Sequence, residues 1–334
     1  MADARDTLLL AFDKGLASHP AQGSRWLFLN AQPLPPAGRE LVPLLACEQG
    51  FRPHFLSLQK AGYDVEPSRA GEAGFAGAMF MLSRSRQLNE VMLSRAWDSV
   101  EPGGMIVAAG ENNDGAKSLR KYVARHCGAA ESISKHHAIA FAFQRTDAAN
   151  PFPQQTKPRR GGYEILPGMF SADGPDEGSS LLAAHFNDRI DGEVADFGAG
   201  WGYLGTQLLQ TAFRVDAFDS IEADFASLQA AQTNLEGLAG ETRMGFHWLD
   251  LTKEQIPAQY DWIVMNPPFH DGRAAVPALG AAFIAAAASA LKPGGTLLMV
   301  ANRNLPYEAP LAQHFKTVQV LDDNGSFKIV EARR

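Results

Sequence analysis

Short apolar runs alternate with longer helical stretches along the second half of the chain. Apolar runs bounded by turn residues predict buried strands, and the longer stretches predict helices. Strands that alternate with helices form a mostly parallel sheet covered on both faces. The pattern therefore predicts an α/β domain with a seven-stranded sheet. The predicted strands cover 194–197, 215–218, 245–249, 262–265, 296–301, 315–321 and 327–332, and the predicted helices cover 204–212, 223–238 and 278–291.

The first half repeats part of this pattern. Pro-Gly-Gly occurs at 102–104 and at 293–295, each time after a helical stretch and before an apolar strand. A closing strand at 139–144 similarly matches the one at 327–332. We interpret this as a degenerate internal duplication that gives two tandem α/β domains of related topology. The alternative is that Pro-Gly-Gly is a common junction between a helix and a strand.

A segment between the two halves has the composition of a linker. Residues 146–162 are rich in proline and glycine and poor in apolar residues, which is typical of a domain boundary. We place the break near residue 155. The predicted organisation is a first domain at 1–150, a linker at 151–162 and a second domain at 163–334.

The two halves differ where ligand chemistry is expected. The first predicted strand, 26–29, ends in Asn30-Ala31-Gln32-Pro33 without a glycine cluster, and the first half contains no Asn-Pro-Pro. Glycines at such a junction let a ligand approach the main chain. The first domain is therefore expected to be a scaffold that lost, or never had, a ligand site.

The composition is that of a globular protein of about two domains. The chain has 334 residues, of which 46% are hydrophobic and 20% are charged, and its formal net charge is −7. Proteins that bind nucleic acid mainly by charge are usually basic. The charge balance therefore argues against indiscriminate binding and leaves a local basic patch open.

No segment predicts export or membrane insertion. The start of the chain has acidic residues where a signal peptide carries basic ones. The longest apolar stretch, 274–291, is mostly alanine and contains Pro277 and Gly280, so it is too weakly hydrophobic to span a bilayer. Cys47 and Cys127 form no metal-binding pattern and fit a reducing compartment. We therefore expect a cytoplasmic protein without a metal site.

A glycine cluster follows the first predicted strand of the second domain. Asp196 precedes Gly198, Gly200 and Gly202, and glycines here permit a tight turn and close approach of a ligand. A dinucleotide-binding loop needs glycine at its first, third and sixth positions. Counted from Gly198, the sixth position is Tyr203, so a nicotinamide cofactor is disfavoured. The Asp196 carboxylate can accept a hydrogen bond from a ligand amine, which suits the amino-acid part of S-adenosylmethionine.

Acidic residues also follow the next two strands. Asp219 is expected to end the second strand, where a carboxylate can bind both hydroxyls of a ribose, and Glu222 is a second candidate. Asp250 follows the third strand, where its carboxylate can accept a hydrogen bond from the adenine amine. Singly, each acid is explained equally well by a polar strand end or a helix cap. Together they predict an adenosyl pocket at the mouth of the sheet.

The fourth predicted strand runs directly into Asn266-Pro267-Pro268-Phe269. The prolines remove backbone donors and fix the direction of the carbonyl groups. The Asn266 side-chain oxygen and the Pro267 carbonyl can then accept two hydrogen bonds from one planar amine, and Phe269 offers a stacking face. These residues predict methylation of an amine by positioning and electrostatics, without a covalent enzyme intermediate.

Four segments together resemble a known family: 166–174, 196–202, 266–272 and 301–307. The chain is similar to the class I S-adenosylmethionine-dependent methyltransferases, and more narrowly to the bacterial ribosomal RNA guanine-N2 methyltransferases of the small- and large-subunit type. These proteins carry two tandem Rossmann-like domains, the first without its cofactor site. A departure is Phe-Gly-Ala-Gly at 197–200, where many relatives have Leu-Gly-Cys-Gly.

The resemblance implies roles for particular residues. Phe170, Asp173 and the glycine loop are expected to surround S-adenosylmethionine, and residues 266–269 are expected to hold a guanine amine of ribosomal RNA. His270 and Asp271 could accept the released proton, but a loop that shapes the pocket explains them equally well.

Basic residues recur at helical spacing in the first half, at Lys117, Arg120, Lys121 and Arg125. We expect the first domain and the linker to hold RNA phosphates, although a solvated charged face explains the same pattern. Other basic positions that we assign to this surface are Arg84, Arg86, His126, Lys157, Arg159 and Arg160.

Three alternatives remain open at this point. Enzymes that methylate a glutamine amide in release factors or an adenine amine in DNA share the Asn-Pro-Pro motif. A non-catalytic binding module and a nicotinamide oxidoreductase are the other two. The sequence leaves the oligomeric state undetermined and is compatible with a monomer.

Overall fold

The structure is a computed structural model that describes residues 2–128, 130–152, 159–268, 270–271, 274–275 and 277–334, with the backbone alone described at 159–160, 270–271 and 274–275. The chain divides into two compact units, Met1–Thr156 and Lys157–Arg334. Each unit has a seven-stranded sheet with a hydrophobic core on either face. The expected α/β class and tandem Rossmann-like organisation are therefore confirmed.

The first unit has the strand order β3-β2-β1-β4-β5-β7-β6, and β7 runs antiparallel to both of its neighbours. Its strands are β1 (Trp26–Leu29), β2 (Leu45–Glu48), β3 (Asp64–Glu66), β4 (Phe75–Met81), β5 (Val100–Glu111), β6 (Glu131–Lys135) and β7 (Ala138–Gln144). Its helices are α1 (Ala4–Asp13), α2 (Arg52–Lys60), α3 (Arg86–Ser99) and α4 (Ala116–Cys127), and Pro36–Leu44 is a 3-10 helix.

The second unit is built in the same order, β12-β11-β10-β13-β16-β18-β17. Its strands are β8 (Arg159–Arg160), β9 (Tyr163–Glu164), β10 (Asp191–Phe197), β11 (Arg214–Glu222), β12 (Arg243–Trp248), β13 (Tyr260–Met265), β14 (His270–Asp271), β15 (Ala274–Ala275), β16 (Leu291–Asn302), β17 (Thr317–Asp323) and β18 (Phe327–Arg333). Its helices are α5 (Glu177–Ala183), α6 (Tyr203–Thr211), α7 (Phe225–Leu235), α8 (Pro277–Ala290) and α9 (Glu308–His314).

The two units share more than strand order. The Pro-Gly-Gly sequences lie inside β5 and β16, each of 12 residues, whereas the sequence pattern placed them before the strands. Both strands show a register shift against the preceding parallel strand, at Phe75/Gly77 and at Tyr260/Trp262. A Cβ at Gly104 would lie 2.5 Å from the Ala76 carbonyl oxygen, so this close approach requires glycine. The repeated irregularity supports the interpretation as a duplication.

The register of the second sheet fixes where its strands end. Phe197 of β10 lies opposite Ile221 of β11 and Met265 of β13. Because these strands are parallel, the residues that follow them leave the sheet at one edge. Among the described residues, no helix combines the length and the apolar composition that crossing a membrane requires.

Candidate active site

The glycine loop after β10 turns the chain sharply into α6. Gly198, Gly200 and Gly202 have φ angles of 76°, 53° and 88°, which other residues rarely adopt. The Gly198 amide donates to the Ile221 carbonyl at 2.8 Å, and a Cβ at Gly202 would lie 3.0 Å from the Ala231 Cα. The loop therefore packs closely on β11 and α7 and presents its main chain at the sheet edge.

Asp196 is a fully buried carboxylate at the end of β10. Its exposed fraction is 0%, and neither oxygen has a hydrogen-bond partner among the described residues. Burial raises the pKa of Asp196 to about 8, and the Glu222 carboxylate adds to the rise. The nearby Gly205 amide opposes the rise in pKa without making a full hydrogen bond to Asp196. A bound cation would supply the charge that this site lacks.

The two faces of β11 separate its acidic residues. Side chains alternate across a strand, so Asp219 lies on the opposite face of the sheet from Ser220 and Glu222. Asp219 accepts a hydrogen bond from the buried Tyr260 hydroxyl at 2.7 Å, and its Oδ2 lies 3.4 Å from His247 Nε2. Although burial opposes it, these partners hold the pKa of Asp219 below its usual value.

The expectation that Asp219 ends the second strand was wrong. The strand continues to Glu222, because residues 220–222 still pair with residues 246–248 of β12. The carboxylate at the strand end is therefore that of Glu222, the second candidate from the sequence.

Glu222 anchors the glycine loop. Its Oε2 accepts from the Gly200 amide at 2.8 Å, and its Oε1 accepts from the Ala223 and Asp224 amides at 2.7 and 2.8 Å. Burial raises its pKa, although these amides oppose the rise. An ionised carboxylate offers about four acceptor positions, so Glu222 can accept further from a ligand hydroxyl.

Asp250 lies just beyond the end of β12. It is 4% exposed, and its Oδ1 accepts from the Thr252 amide at 3.0 Å and from the Thr252 hydroxyl at 2.6 Å. Its Oδ2 has no hydrogen-bond partner among the described residues and is paired only with the exposed Lys253 ammonium at 3.7 Å. The Leu249 amide donates to the Glu222 carbonyl at 3.0 Å, which places the two strand ends side by side. Asp250 thus keeps one acceptor for a ligand.

Asn266 leaves the sheet beside Gly198, because Met265 and Phe197 are paired. Its side-chain nitrogen donates to Asp176 Oδ2 at 2.9 Å and to Ser179 Oγ at 2.8 Å. One pocket is lined both by the glycine loop and by these three side chains. The structure therefore brings Asn266 together with the loop; Pro267 is buried and Pro268 is exposed.

Phe170 covers one side of this pocket. Its side chain is 57% exposed, and its carbonyl oxygen accepts from the buried Trp201 Nε1 at 3.0 Å. Both residues line the pocket, whereas Asp173 is exposed in the following turn and does not. Phe269 lies outside the described residues, as do Lys157 and the side chains of Arg159, Arg160, His270 and Asp271.

Comparison with known proteins places this geometry in a family. A family model for the methyltransferase small domain matches residues 163–331. The ribosomal RNA small subunit methyltransferase C of Shewanella pealeana is 31% identical over 259 residues, 74% of this chain and 74% of that protein. Its namesake from Idiomarina loihiensis is 27% identical over 272 residues, 77% of this chain and 78% of that protein.

A solved structure covers both units. The 16S rRNA N2 G1207 methyltransferase of T. thermophilus, in complex with AdoMet and guanosine, matches with a TM-score of 0.81 and 26% identity. The match covers 99% of this chain and 91% of that chain. The chain belongs to the methyltransferase small domain family. The resemblance inferred from the four sequence segments is thereby confirmed.

The site of this methyltransferase is suited to S-adenosylmethionine. Asp196 is a buried carboxylate without a hydrogen-bond partner among the described residues, which suits the ammonium group of the ligand. Glu222 and Asp250 keep hydrogen-bond acceptor positions at the adjacent strand ends. Gly198 and Gly200 line the pocket and have no Cβ, so a ligand can come close to their main chain. Among the described residues, no cluster of three or more His, Cys, Asp or Glu is arranged to hold a metal ion.

The first unit of the methyltransferase carries different groups at the corresponding strand ends. Asn30 follows β1 with a φ of 47°, where β10 is followed by Gly198. Gln49, 2% exposed, follows β2 and donates to the Ala31 carbonyl at 2.7 Å. The residue at this position is thus a neutral amide, Gln49, in the first unit and a carboxylate, Glu222, in the second unit.

Sequence reasoning missed three residues of the site. Asp176 and Ser179 bind Asn266 and Trp201 binds the Phe170 carbonyl, yet none was singled out. The Asp-Glu-Gly-Ser sequence at 176–179 does carry a signal, because Asp before a helical stretch is a typical N-cap. The contact with Asn266 spans 90 positions and has no local signature.

We expect Asp196→Asn to stabilise the cofactor-free protein in a pH-dependent way. With a folded-state pKa of about 8 against the usual value of 3.8, the folded protein keeps a proton that the unfolded chain releases between these values. Stability of the natural protein therefore falls as pH rises through that window, by at most about 1.4 kcal/mol per pH unit. Thermal melts should show an increase in Tm for Asp196→Asn that is larger at pH 8 than at pH 5, with weaker binding of S-adenosylmethionine.

Asp216, which is exposed on β11, provides the matched control. Asp216→Asn should change Tm by the same small amount at both pH values. A Tm difference for Asp196→Asn that does not vary with pH would contradict a neutral buried carboxyl at this position.

Proposed function

We propose that this chain transfers a methyl group from S-adenosylmethionine to the N2 amine of a guanosine in 16S ribosomal RNA. The observation that carries the proposal is the pocket shared by Asn266 and the glycine loop, in a chain whose relatives are ribosomal RNA small subunit methyltransferases C. In the T. thermophilus protein the target is G1207, so the corresponding guanosine is the first to examine. A ribosomal RNA substrate is consistent with the cytoplasmic location expected from the sequence.

The cofactor site is assigned residue by residue. Asp196 would bind the ammonium group, Glu222 the ribose hydroxyls in place of Asp219, and Asp250 Oδ2 the adenine amine. Gly198, Gly200 and Gly202 would carry the main chain past the methionine part, with Phe170 covering it. When bound, the cofactor supplies an electrophilic methyl group on a sulfonium. Asp173 is exposed and does not line the pocket, so its assignment to the cofactor site rests only on the family resemblance.

The target amine is held by the corner that ends β13. The Asn266 Oδ1 and the Pro267 carbonyl accept from the two N2 hydrogens and direct the nitrogen lone pair toward the methyl group. As the carbon–nitrogen bond forms and the carbon–sulfur bond breaks, positive charge develops on N2, and these two oxygens stabilise it. The N2 proton then leaves to solvent or to a neighbouring base. Pro268 fixes the backbone, and Phe269 is assigned as the stacking face for the guanine.

The first unit is assigned to RNA binding. Lys117, Lys121 and Arg125 are exposed at four-residue intervals on α4, so they form one stripe, which we call the α4 stripe. Arg120 lies beside it and is half-buried, with its guanidinium toward the Ala130 carbonyl at 3.5 Å. Cations in such a row can contact successive phosphates. Of the four residues inferred from the sequence, Arg120 is therefore the one left out of the α4 stripe.

Labelled methyl transfer tests the reaction. The full chain, incubated with S-adenosylmethionine labelled in its methyl group and with small ribosomal subunits that lack the modification, should produce N2-methylguanosine in 16S RNA. Nucleoside analysis after digestion identifies the product, and large subunits serve as the matched control. Label in an adenine amine, or no label in either small subunits or free 16S RNA, would reject the proposal.

Asn266→Ala should slow the chemical step without weakening cofactor binding. Loss of one preorganised group at a reacting centre costs about 10²–10³ in turnover. Single-turnover kinetics should show that loss, while calorimetry should give a dissociation constant for S-adenosylmethionine within about threefold of the natural protein. An equal loss of both quantities would place Asn266 in cofactor binding or in the fold instead.

Replacing the α4 stripe should weaken RNA binding in a salt-dependent way. The triple variant Lys117→Gln, Lys121→Gln, Arg125→Gln should bind 16S RNA less tightly, and the slope of log affinity against log salt should fall by about one for each phosphate that the variant no longer binds. The matched control is Lys14→Gln, Arg39→Gln, Lys60→Gln, which removes equal charge from exposed positions of the same unit. Identical slopes for the two triple variants would show that the stripe does not contact RNA.

A further inference from the structure

Three side chains form a hydrogen-bonded group at the corner that ends β13. Asn266 Nδ2 donates to Asp176 Oδ2 at 2.9 Å and to Ser179 Oγ at 2.8 Å. All three residues line the pocket that contains Gly198 and Gly200. We call Asp176 and Ser179 the amide clamp. Neither belongs to the motifs by which the sequence suggested the reaction.

The amide clamp determines which way the Asn266 amide faces. A carboxylate can only accept hydrogen bonds, so the amide must turn its nitrogen toward Asp176. The two N–H groups of that nitrogen are then both engaged, one by Asp176 and one by Ser179. The opposite atom, Oδ1, is left to accept. An amide held in this way can accept a hydrogen bond from a substrate amine but cannot donate one to it.

The amide clamp is itself held by the start of α5. Asp176 is the N-cap residue of this helix, and the same Oδ2 that binds Asn266 also accepts from the Ser179 amide at 2.9 Å. Ser179 is 7% exposed, and Leu182 of the same helix is fully buried in the core. The position of the carboxylate is therefore set by a helix packed on the sheet rather than by a mobile loop.

The charge of the clamp also acts on the amide. An anion behind the Asn266 nitrogen polarises the amide and increases the negative charge on Oδ1. In the proposed function, that oxygen faces the position where positive charge develops during methyl transfer. The clamp thus supports the acceptor both by orientation and by electrostatics.

We propose that Asp176 and Ser179 are positioning residues for methyl transfer, which act by locking the Asn266 amide with its oxygen toward the target amine. This inference rests on the proposed function, because it assigns the Asn266 oxygen to the substrate. It adds two residues at the start of α5 whose effect on turnover passes through Asn266 alone.

Single substitutions test the clamp in the labelled methyl-transfer assay with small ribosomal subunits. Asp176→Ala should lower turnover by about 10–100-fold, since misplacement of a reacting group costs up to about 10²-fold. Ser179→Ala should lower it about fivefold, the ratio that corresponds to one ordinary hydrogen bond. In both variants the KM for S-adenosylmethionine should stay within about threefold of the natural protein.

Asp176→Asn is the conservative variant. Its side-chain oxygen can still cap α5 and accept from Asn266, because asparagine is as good an N-cap as aspartate. It should recover most of the turnover that Asp176→Ala loses. If Asp176→Asn and Asp176→Ala are equally slow, orientation of the amide is not what Asp176 provides.

A double-mutant cycle separates positioning from a general loss of structure. In an Asn266→Ala background the clamp has nothing to orient, so adding Asp176→Ala or Ser179→Ala should change turnover less than about twofold. Multiplicative losses in the double variants would overturn the inference. This test remains available with Ser179→Ala if Asp176→Ala fails to fold.

Asp3 offers a matched control, because its carboxylate caps α1 in the first unit. Asp3→Ala should lower Tm as the loss of a helix cap does, and leave turnover unchanged. The outcomes also separate the two proposals. Failure of the natural protein to form N2-methylguanosine would reject the proposed function. If the natural protein is active, normal turnover of Asn266→Ala, or a slow Asn266→Ala with a normal Asp176→Ala, would reject the clamp alone.

Discussion

The parallel pairing of β10 with β11 and β13 is the constraint on which the site depends. It sets Phe197 beside Ile221 and Met265, so that Gly198, Glu222 and Asn266 leave the sheet at the same edge. The Gly198 amide then bonds to the Ile221 carbonyl, and the Gly200 amide bonds to the Glu222 carboxylate. Main-chain hydrogen bonds thus bring a glycine loop, an acid and an amide together from distant parts of the chain.

The acids around the glycine loop and the Asn266 corner differ in electrostatic character. Asp196 is fully buried and Glu222 is partly buried, and burial raises the pKa of both carboxyls. Two such carboxyls oppose folding, and a bound cation would offset that cost. Asn266, in contrast, is neutral, and its nitrogen is fully hydrogen-bonded. In the proposed function, affinity for the cofactor and orientation of the target amine are therefore carried by different groups.

The two units show how one topology can carry different groups at the same strand ends. Both have the same strand order, and both carry a Pro-Gly-Gly irregularity in the fifth strand. In the first unit, however, the loop after β1 is closed by Gln49, whose amide donates to the Ala31 carbonyl. The Gln49 side chain also accepts from the Phe51 amide at 2.9 Å, so both ends of this amide are used within the first unit. Ala31 of the same loop is fully buried in the hydrophobic core.

The sequence by itself determined the fold class, the duplication and the motifs of the site, since period-two and helical patterns and turn chemistry are local signals. Strand 26–29 and the Asp196–Gly202 loop followed from such signals. The pattern could not show that β11 continues to Glu222, because the two consecutive polar residues Asp219 and Ser220 resemble the end of a strand. Only the tertiary structure decided that Asp219 faces Tyr260 and that Asp176 holds Asn266. Both contacts join residues many positions apart, and packing of the sheet and α5 creates them.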